Sequence, residues 1–148
     1  MNASYRHRQT GWVLLIMFTA TLLLIGALSV SLGATSTSPD FLLAFALLAI
    51  VAALFSSMTV ELQGDEVNWY FGPRFWTKRL GVAEIERATP IKTKWYWGYG
   101  IKFFGPGRWL YNVSGTDAVE LTLKRGGWVR LGTDDVAGLM QGLRARGL

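Results

Sequence analysis

Two stretches of this chain carry no ionisable side chain, and they decide what its first part can become. No Asp, Glu, Lys, Arg or His occurs from residue 11 to 39, nor from residue 41 to 60. As a helix rising about 1.5 Å per residue, residues 11–32 reach about 33 Å, enough for a hydrocarbon core of about 30 Å. Residues 41–60 reach nearly as far. A helix apolar on every face for that length is not the amphipathic helix of a soluble surface. The expectation is a transmembrane helical hairpin within residues 1–60, with spans at about 11–32 and 41–60, followed by a separate domain of residues 61–148.

The connector supports helix ends on both sides. Gly33 is placed to stop the first helix. Ser38 is a good N-cap for the second, with Pro39 at the first helical position and Asp40 beside the positive end of the dipole. Gly26, Ala27, Ala44, Ala46, Ala49, Ala52 and Ala53 would allow close helix contact, and they equally fit ordinary membrane-helix composition. Orientation follows from charge. Arg6, His7 and Arg8 precede the first span, whereas the connector holds only Asp40, so the N-terminus is expected in the cytoplasm. Two crossings return the chain there, where residues 61–148 carry 13 Lys and Arg against nine Asp and Glu. Trp12 fits an interfacial aromatic. A signal peptide cleaved near Ser31 and Gly33 is the alternative, but the apolar run is long for one, and a second span would still leave the domain in the cytoplasm.

From Met58 onward the periodicity changes from helical to alternating. Thr59 to Gln63 alternates and meets the turn Gly64-Asp65, then Val67 to Phe71 alternates and stops at Gly72-Pro73. Further strands are expected over 75–80, 88–94, 100–104, 109–113, 118–124 and 128–132, separated by a bend at 82–87 and turns at Gly105-Pro106-Gly107, Ser114-Gly115-Thr116 and Gly126-Gly127. Val119, Leu121 and Leu123 share one strand face. At the end, Thr133 is read as an N-cap with Asp134 and Asp135 in the first turn. Val136, Leu139, Met140 and Leu143 then form one apolar helical stripe. The fold class is therefore α+β: the helical hairpin, then a split barrel of about seven antiparallel strands capped by a C-terminal helix.

This pattern resembles the bacterial pleckstrin-homology-like domains found attached to membrane segments. The resemblance rests on Leu62-Gln63-Gly64-Asp65-Glu66-Val67 through Phe71-Gly72, on Val82-Ala83-Glu84-Ile85-Glu86, on Gly98-Tyr99-Gly100-Ile101, on Asp117-Ala118-Val119-Glu120-Leu121, and on Leu131-Gly132-Thr133-Asp134-Asp135. It implies a split barrel with a binding or scaffold role and no catalysis. Eukaryotic relatives bind phosphoinositides through basic residues around the first hairpin turn; the acidic turn Gln63-Gly64-Asp65-Glu66 here does not fit that mode.

Chemistry of other kinds finds little support. The chain has no cysteine, which removes disulfides, thiolate metal sites and cysteine nucleophiles. Its single histidine, His7, reads as part of the basic flank, and no catalytic set can be assembled around it. Asp134 and Asp135 are adjacent on a helix and point apart. Gly98-Tyr99-Gly100 is half of a dinucleotide fingerprint with no helix after it, and Asn112-Val113-Ser114 is a glycosylation acceptor on the wrong side of the membrane. No catalytic, cofactor or metal residues are expected.

What stands out is a mixture of basic and aromatic side chains in two places: Arg74, Trp76, Lys78 and Arg79, and Lys92, Lys94, Trp95, Tyr96 and Trp97. Trp and Tyr favour the membrane interface, and each Lys or Arg near an anionic surface adds about 1 kcal/mol. These residues are either a contact surface for membrane or partner, or barrel core with its wet face. The net charge of +5 favours an anionic neighbour, the headgroup layer before nucleic acid. The expectation is a non-enzymatic, multi-pass protein of the bacterial inner membrane, with N-terminus and domain cytoplasmic. Its partner is anionic lipid, another membrane protein or a second copy of itself, and not nucleic acid. The alternatives are a structural subunit whose hairpin makes the contacts, or an enzyme acting on lipid.

Overall fold

The computed structural model describes residues 4–31, 33, 38–74 and 76–148; Leu32, the connector residues 34–37 and Phe75 lie outside them. The apolar stretches are helical. Helix α1 (Trp12–Ser31) has no buried residue and is long and apolar enough to cross a membrane. Helix α2 (Pro39–Phe55) is apolar but shorter, at 17 residues. It begins as expected: Ser38 accepts a hydrogen bond from the Phe41 amide at 3.4 Å, with proline in the first turn. The two helices contact each other.

Sequence reading erred at both ends of this helical pair. Residues 5–10 are not a tail. They form β1 (Tyr5–Thr10), which pairs antiparallel with β2 (Ser57–Gln63) in continuous register from Tyr5↔Leu62 to Thr10↔Ser57. The second span, expected to run to Val60, stops at Phe55, because Met58 and Val60 belong to the domain's core and not to lipid. The domain therefore starts before the helices and resumes after them, and the boundary drawn at residue 61 cuts through β2. The junction has no slack. The Gly11 amide donates to Ser56 O at 2.7 Å, extending the ladder by one step beyond Thr10↔Ser57.

Beyond β2 lie β3 (Glu66–Phe71) and β4 (Trp76–Gly81), completing a four-stranded sheet of order β1-β2-β3-β4. A 3₁₀ turn at Val82–Glu84 carries the chain into a second sheet. This contains β5 (Ile85–Lys92), β6 (Gly100–Phe103), β7 (Arg108–Asn112), β8 (Asp117–Leu123) and β9 (Trp128–Gly132), in the order β5-β8-β9-β7-β6. The described residues thus form nine strands in two sheets with no closed barrel, where about seven strands of a split barrel were expected. One pair, β7 with β9, is parallel, where all pairs were expected to be antiparallel. The parallel pairing follows from connectivity: β8 intervenes between β7 and β9 in sequence but not in space.

Both sheets and one helix share a single core. Met58, Leu62, Val67 and Trp69 from the first sheet meet Tyr111, Val119, Leu121 and Leu131 from the second. Helix α3 (Val136–Arg144) adds Leu139, Met140 and Leu143 from the stripe expected of it. Its cap differs from expectation. Asp135 is the N-cap, accepting from the Gly138 amide at 2.9 Å, while Thr133 accepts from the Asp135 amide at 3.1 Å. The helix also locks onto β1. The Tyr5 hydroxyl donates to the Asp135 carboxylate at 3.2 Å, and burial together with that carboxylate pushes the phenol well above its ordinary pKa.

Because Thr10 and Ser57 are paired neighbours, residues 11–56 occupy the place of a hairpin turn. Replacing them with Asn-Gly, a dipeptide suited to a two-residue hairpin, is expected to yield a soluble domain with cooperative unfolding and near-ultraviolet aromatic circular dichroism. A fragment starting at Glu61 lacks β1 and half of β2 and is expected to show neither. A folded 61–148 fragment would contradict this account.

Candidate functional site at the helix-proximal end

Strand alternation sorts the outer positions of the first sheet. On β1, Tyr5, His7 and Gln9 turn inward, while Arg6 and Arg8 stand on the solvent side. Their partners across the ladder are Glu61 and Thr59, and beyond those lie Asn68 and Tyr70 on β3. Glu61 is only 2% exposed. A carboxylate that is so far removed from water must be paired and hydrogen-bonded, and it is. Arg6 Nε lies 3.0 Å from Oε1 and Arg74 Nη2 lies 2.7 Å from Oε2. The Tyr70 hydroxyl donates to Oε1 at 2.7 Å and Gln63 Nε2 donates to Oε2 at 2.9 Å. Both arginines remain exposed while their guanidinium groups are held.

Arg74 is held at some cost. It sits in the β3–β4 turn with φ +62°, a left-handed conformation costing a non-glycine residue roughly 1–2 kcal/mol. Its guanidinium is stacked 4.9 Å from the Tyr70 ring centroid. Just before it, Gly72 has φ +50°, and a Cβ there would stand 2.7 Å from Leu54 O on α2. The turn therefore needs glycine on two counts, and it places Arg74 beside the end of the apolar helices.

The remaining expected residues separate into three groups. Arg79 lies on the outer face, opposite Asn68. Trp76 and Lys78 lie on the other face of β4, Lys78 Nζ standing 5.1 Å from the Trp76 ring centre, and Trp76 is 50% exposed. Lys92, at the end of β5, reaches Asp117 at 3.4 Å. From there Thr93 bonds to Thr116 O through both its amide and its hydroxyl, and Lys94 enters the 3₁₀ turn Trp95–Trp97.

That turn lies at the same end as the helices. The Ser114 carbonyl, two residues before Thr116, accepts from Gln9 at 2.9 Å, and a Cβ on Gly11 would meet Val113 O at 3.0 Å. Of the two readings of the aromatic cluster, core or surface, each holds for part of it. Trp95 is 83% exposed and Tyr96 59%. Trp97 is half-buried, its ring 5.1 Å from Phe104 and 5.1 Å from the Arg130 guanidinium on the outer side of the second sheet. The aromatics that do fill the core are Trp69, Phe71 and Tyr111.

Sequence reasoning missed Arg6, Arg8, Glu61 and Tyr70 as one cluster. A signal was present: alternation through Tyr5-Arg6-His7-Arg8-Gln9-Thr10, and a lone carboxylate in the alternating run around β2. Searches against protein families, curated proteins and solved structures return no match to this chain.

The exposures divide the aromatic turn into parts with different roles. In detergent-solubilised protein, Trp95→Ser is expected to change unfolding stability by no more than about 0.5 kcal/mol. Trp97→Ala is expected to cost about 1–3 kcal/mol, because it uncovers the side chains beneath its ring. Guanidinium unfolding followed by near-ultraviolet circular dichroism checks both, and equal effects at the two positions would refute the division.

Proposed function

We propose that this is a non-enzymatic, multi-pass protein of the bacterial inner membrane whose pleckstrin-homology-like domain acts at the cytoplasmic surface as an interaction module for anionic lipid headgroups. One observation carries the proposal: the exposed aromatic and basic side chains share the end of the domain from which the apolar helices leave. Trp12 at the start of α1, Trp76 and the pair Trp95 and Tyr96 are all more than half or about half exposed there. Lys94 stands 5.5 Å from the Tyr96 ring centre. Aromatic side chains with adjacent cations suit the headgroup layer, where an apolar ring and a charge can each find its medium.

The pairing of β1 with β2 supports two crossings. Both ends of the helical pair must lie on one side, since Thr10 and Ser57 are neighbours in one sheet. With α1 as a span, α2 must bring the chain back. At about 25 Å its helix is shorter than the hydrocarbon core, a mismatch that local thinning of the bilayer accommodates. Arg6 and Arg8 then fall on the side that positive charge favours.

A protein partner is the second reading, and it has its own observation. Strand β6 is an edge strand of the second sheet, and Phe103 on it is 59% exposed, with Phe104 after it 37%. An exposed apolar edge invites pairing with another chain.

Because the chain has no cysteine, single labelling sites are available in the intact protein. An environment-sensitive fluorophore at Trp95→Cys is expected to emit further to the blue than one at Ala137→Cys on α3, after reconstitution in vesicles. The difference should widen when phosphatidylglycerol is mixed into phosphatidylcholine. Identical emission at the two positions in both lipids would remove the headgroup reading.

A further inference from the structure

We propose that the solvent face of the first sheet carries a binding site for a phosphate group, built by Arg6, Arg8 and Arg74, and that the group belongs to the headgroup of an anionic phospholipid. The inference rests on the reading of this end of the domain as lying in the headgroup layer, but its observations are separate from the aromatic turn. A cavity of about 260 Å³ opens there, lined by the three arginines together with Thr59, Tyr70 and Pro73. Among the described residues no carboxylate lines the cavity; Glu61, beside it, pairs with Arg6 and Arg74, so the three guanidinium groups and this carboxylate together carry an excess of two positive charges.

The carboxylate organises the cations without cancelling them. Arg6 spends Nε on Glu61 and Nη2 on the Tyr70 hydroxyl at 3.3 Å. Arg74 spends Nη2 on Glu61. Arg8 reaches no carboxylate among the described residues and gives Nη2 to Ser57 Oγ at 3.0 Å. A guanidinium has five N–H donors in a fixed plane, so each of the three keeps donors in hand. Planar forks, already oriented and only partly satisfied, match the oxygens of a phosphate better than a flexible ammonium does.

Rigidity adds to the fit. Arg6 and Arg8 are on a strand, two residues apart on one face, and Arg74 is pinned by Glu61 and Tyr70 in a left-handed backbone conformation. A strained, over-determined residue of this kind is commonly part of a site. The turn that bears it touches Leu54 of α2, so the cavity mouth lies at the depth where α2 ends. An anionic lipid beside the helices brings its phosphate to that depth.

The test uses the full chain in non-ionic detergent, which removes the bilayer surface that the aromatic turn would meet. Calorimetric titration with short-chain phosphatidylglycerol is expected to show saturable binding, weakened at least tenfold by Arg8→Gln and largely retained by Arg8→Lys. Lys124→Gln, an exposed position in the turn between β8 and β9 and outside both surfaces, should leave the affinity unchanged, and phosphatidylcholine of the same chain length should bind at least tenfold more weakly. Arg8 is exposed and, among the described residues, bonds only to Ser57, so the melting temperature of Arg8→Gln without lipid should match that of the parent. Inorganic phosphate binding as tightly, with the same dependence on Arg8, would keep the phosphate site and overturn the lipid assignment. No saturable binding, or binding indifferent to Arg8→Gln, would overturn the site. Loss on Lys94→Gln instead, beside the aromatic turn, would also overturn it while leaving the headgroup reading of that turn intact.

Discussion

The antiparallel pairing of Tyr5–Thr10 with Ser57–Gln63 is the contact on which the rest of this molecule depends. It closes a loop that holds both apolar helices, so the helices and the sheet cannot be arranged independently. A hairpin turn normally takes two to five residues. Here the same junction is filled by a helical pair, and the ladder runs on into it through the bond from Gly11 to Ser56. Phe55 at the end of α2 then packs at a tilt 5.5 Å from Phe71 of β3, while Leu14 packs against the core. The domain is therefore not a body on a tether. Any tilt of the helices is a tilt of the sheet.

That coupling accounts for where the polar groups stand. A sheet with one face on the core must offer the other to solvent, and alternation along β1 and β2 sends arginines and Glu61 outward together. Glu61 lies under the arginines that neutralise it, so a face made of charged residues is half closed. Tyr70 does the same from β3, with its ring under Arg74 and its hydroxyl on Glu61. The result is a rigid cationic surface next to the helix ends, in contrast with the aromatic turn 95–97, whose outer rings rest on little.

Legibility in the sequence followed the length of each signal. The apolar helices, the Ser38 cap, the Gly64-Asp65 turn and the shared face of Val119, Leu121 and Leu123 were readable, because each is set by neighbours within a few residues. Strand β1 was not. Its six residues hold one aromatic and otherwise polar or basic side chains, a composition identical to that of a positive flank before a membrane span. Its partner is more than forty residues away, beyond two helices, and no local pattern reports such a pairing. The end of the second apolar run failed for a related reason: Met58 and Val60 are as apolar in a sheet core as they would be in lipid, and hydropathy does not tell the two solvents apart. The parallel pairing of β7 and β9 is likewise non-local.

The aromatic residues show the same limit from the other side. Trp95, Tyr96 and Trp97 are consecutive and chemically alike, and residue type alone sorts them neither into core nor surface. Position does. Thr93, anchored twice to Thr116, fixes where the chain leaves β5, and the 3₁₀ turn that follows points successive rings in different directions. Trp97 falls back over Arg130, which is itself paired to Glu120 at 2.7 Å, and so closes the outer side of the second sheet. Trp95 and Tyr96, in the same turn, remain exposed. Exposed aromatic rings of this kind suit a boundary between water and an apolar medium, and the turn lies at the same end of the domain as α1, the helix long and apolar enough to cross a membrane.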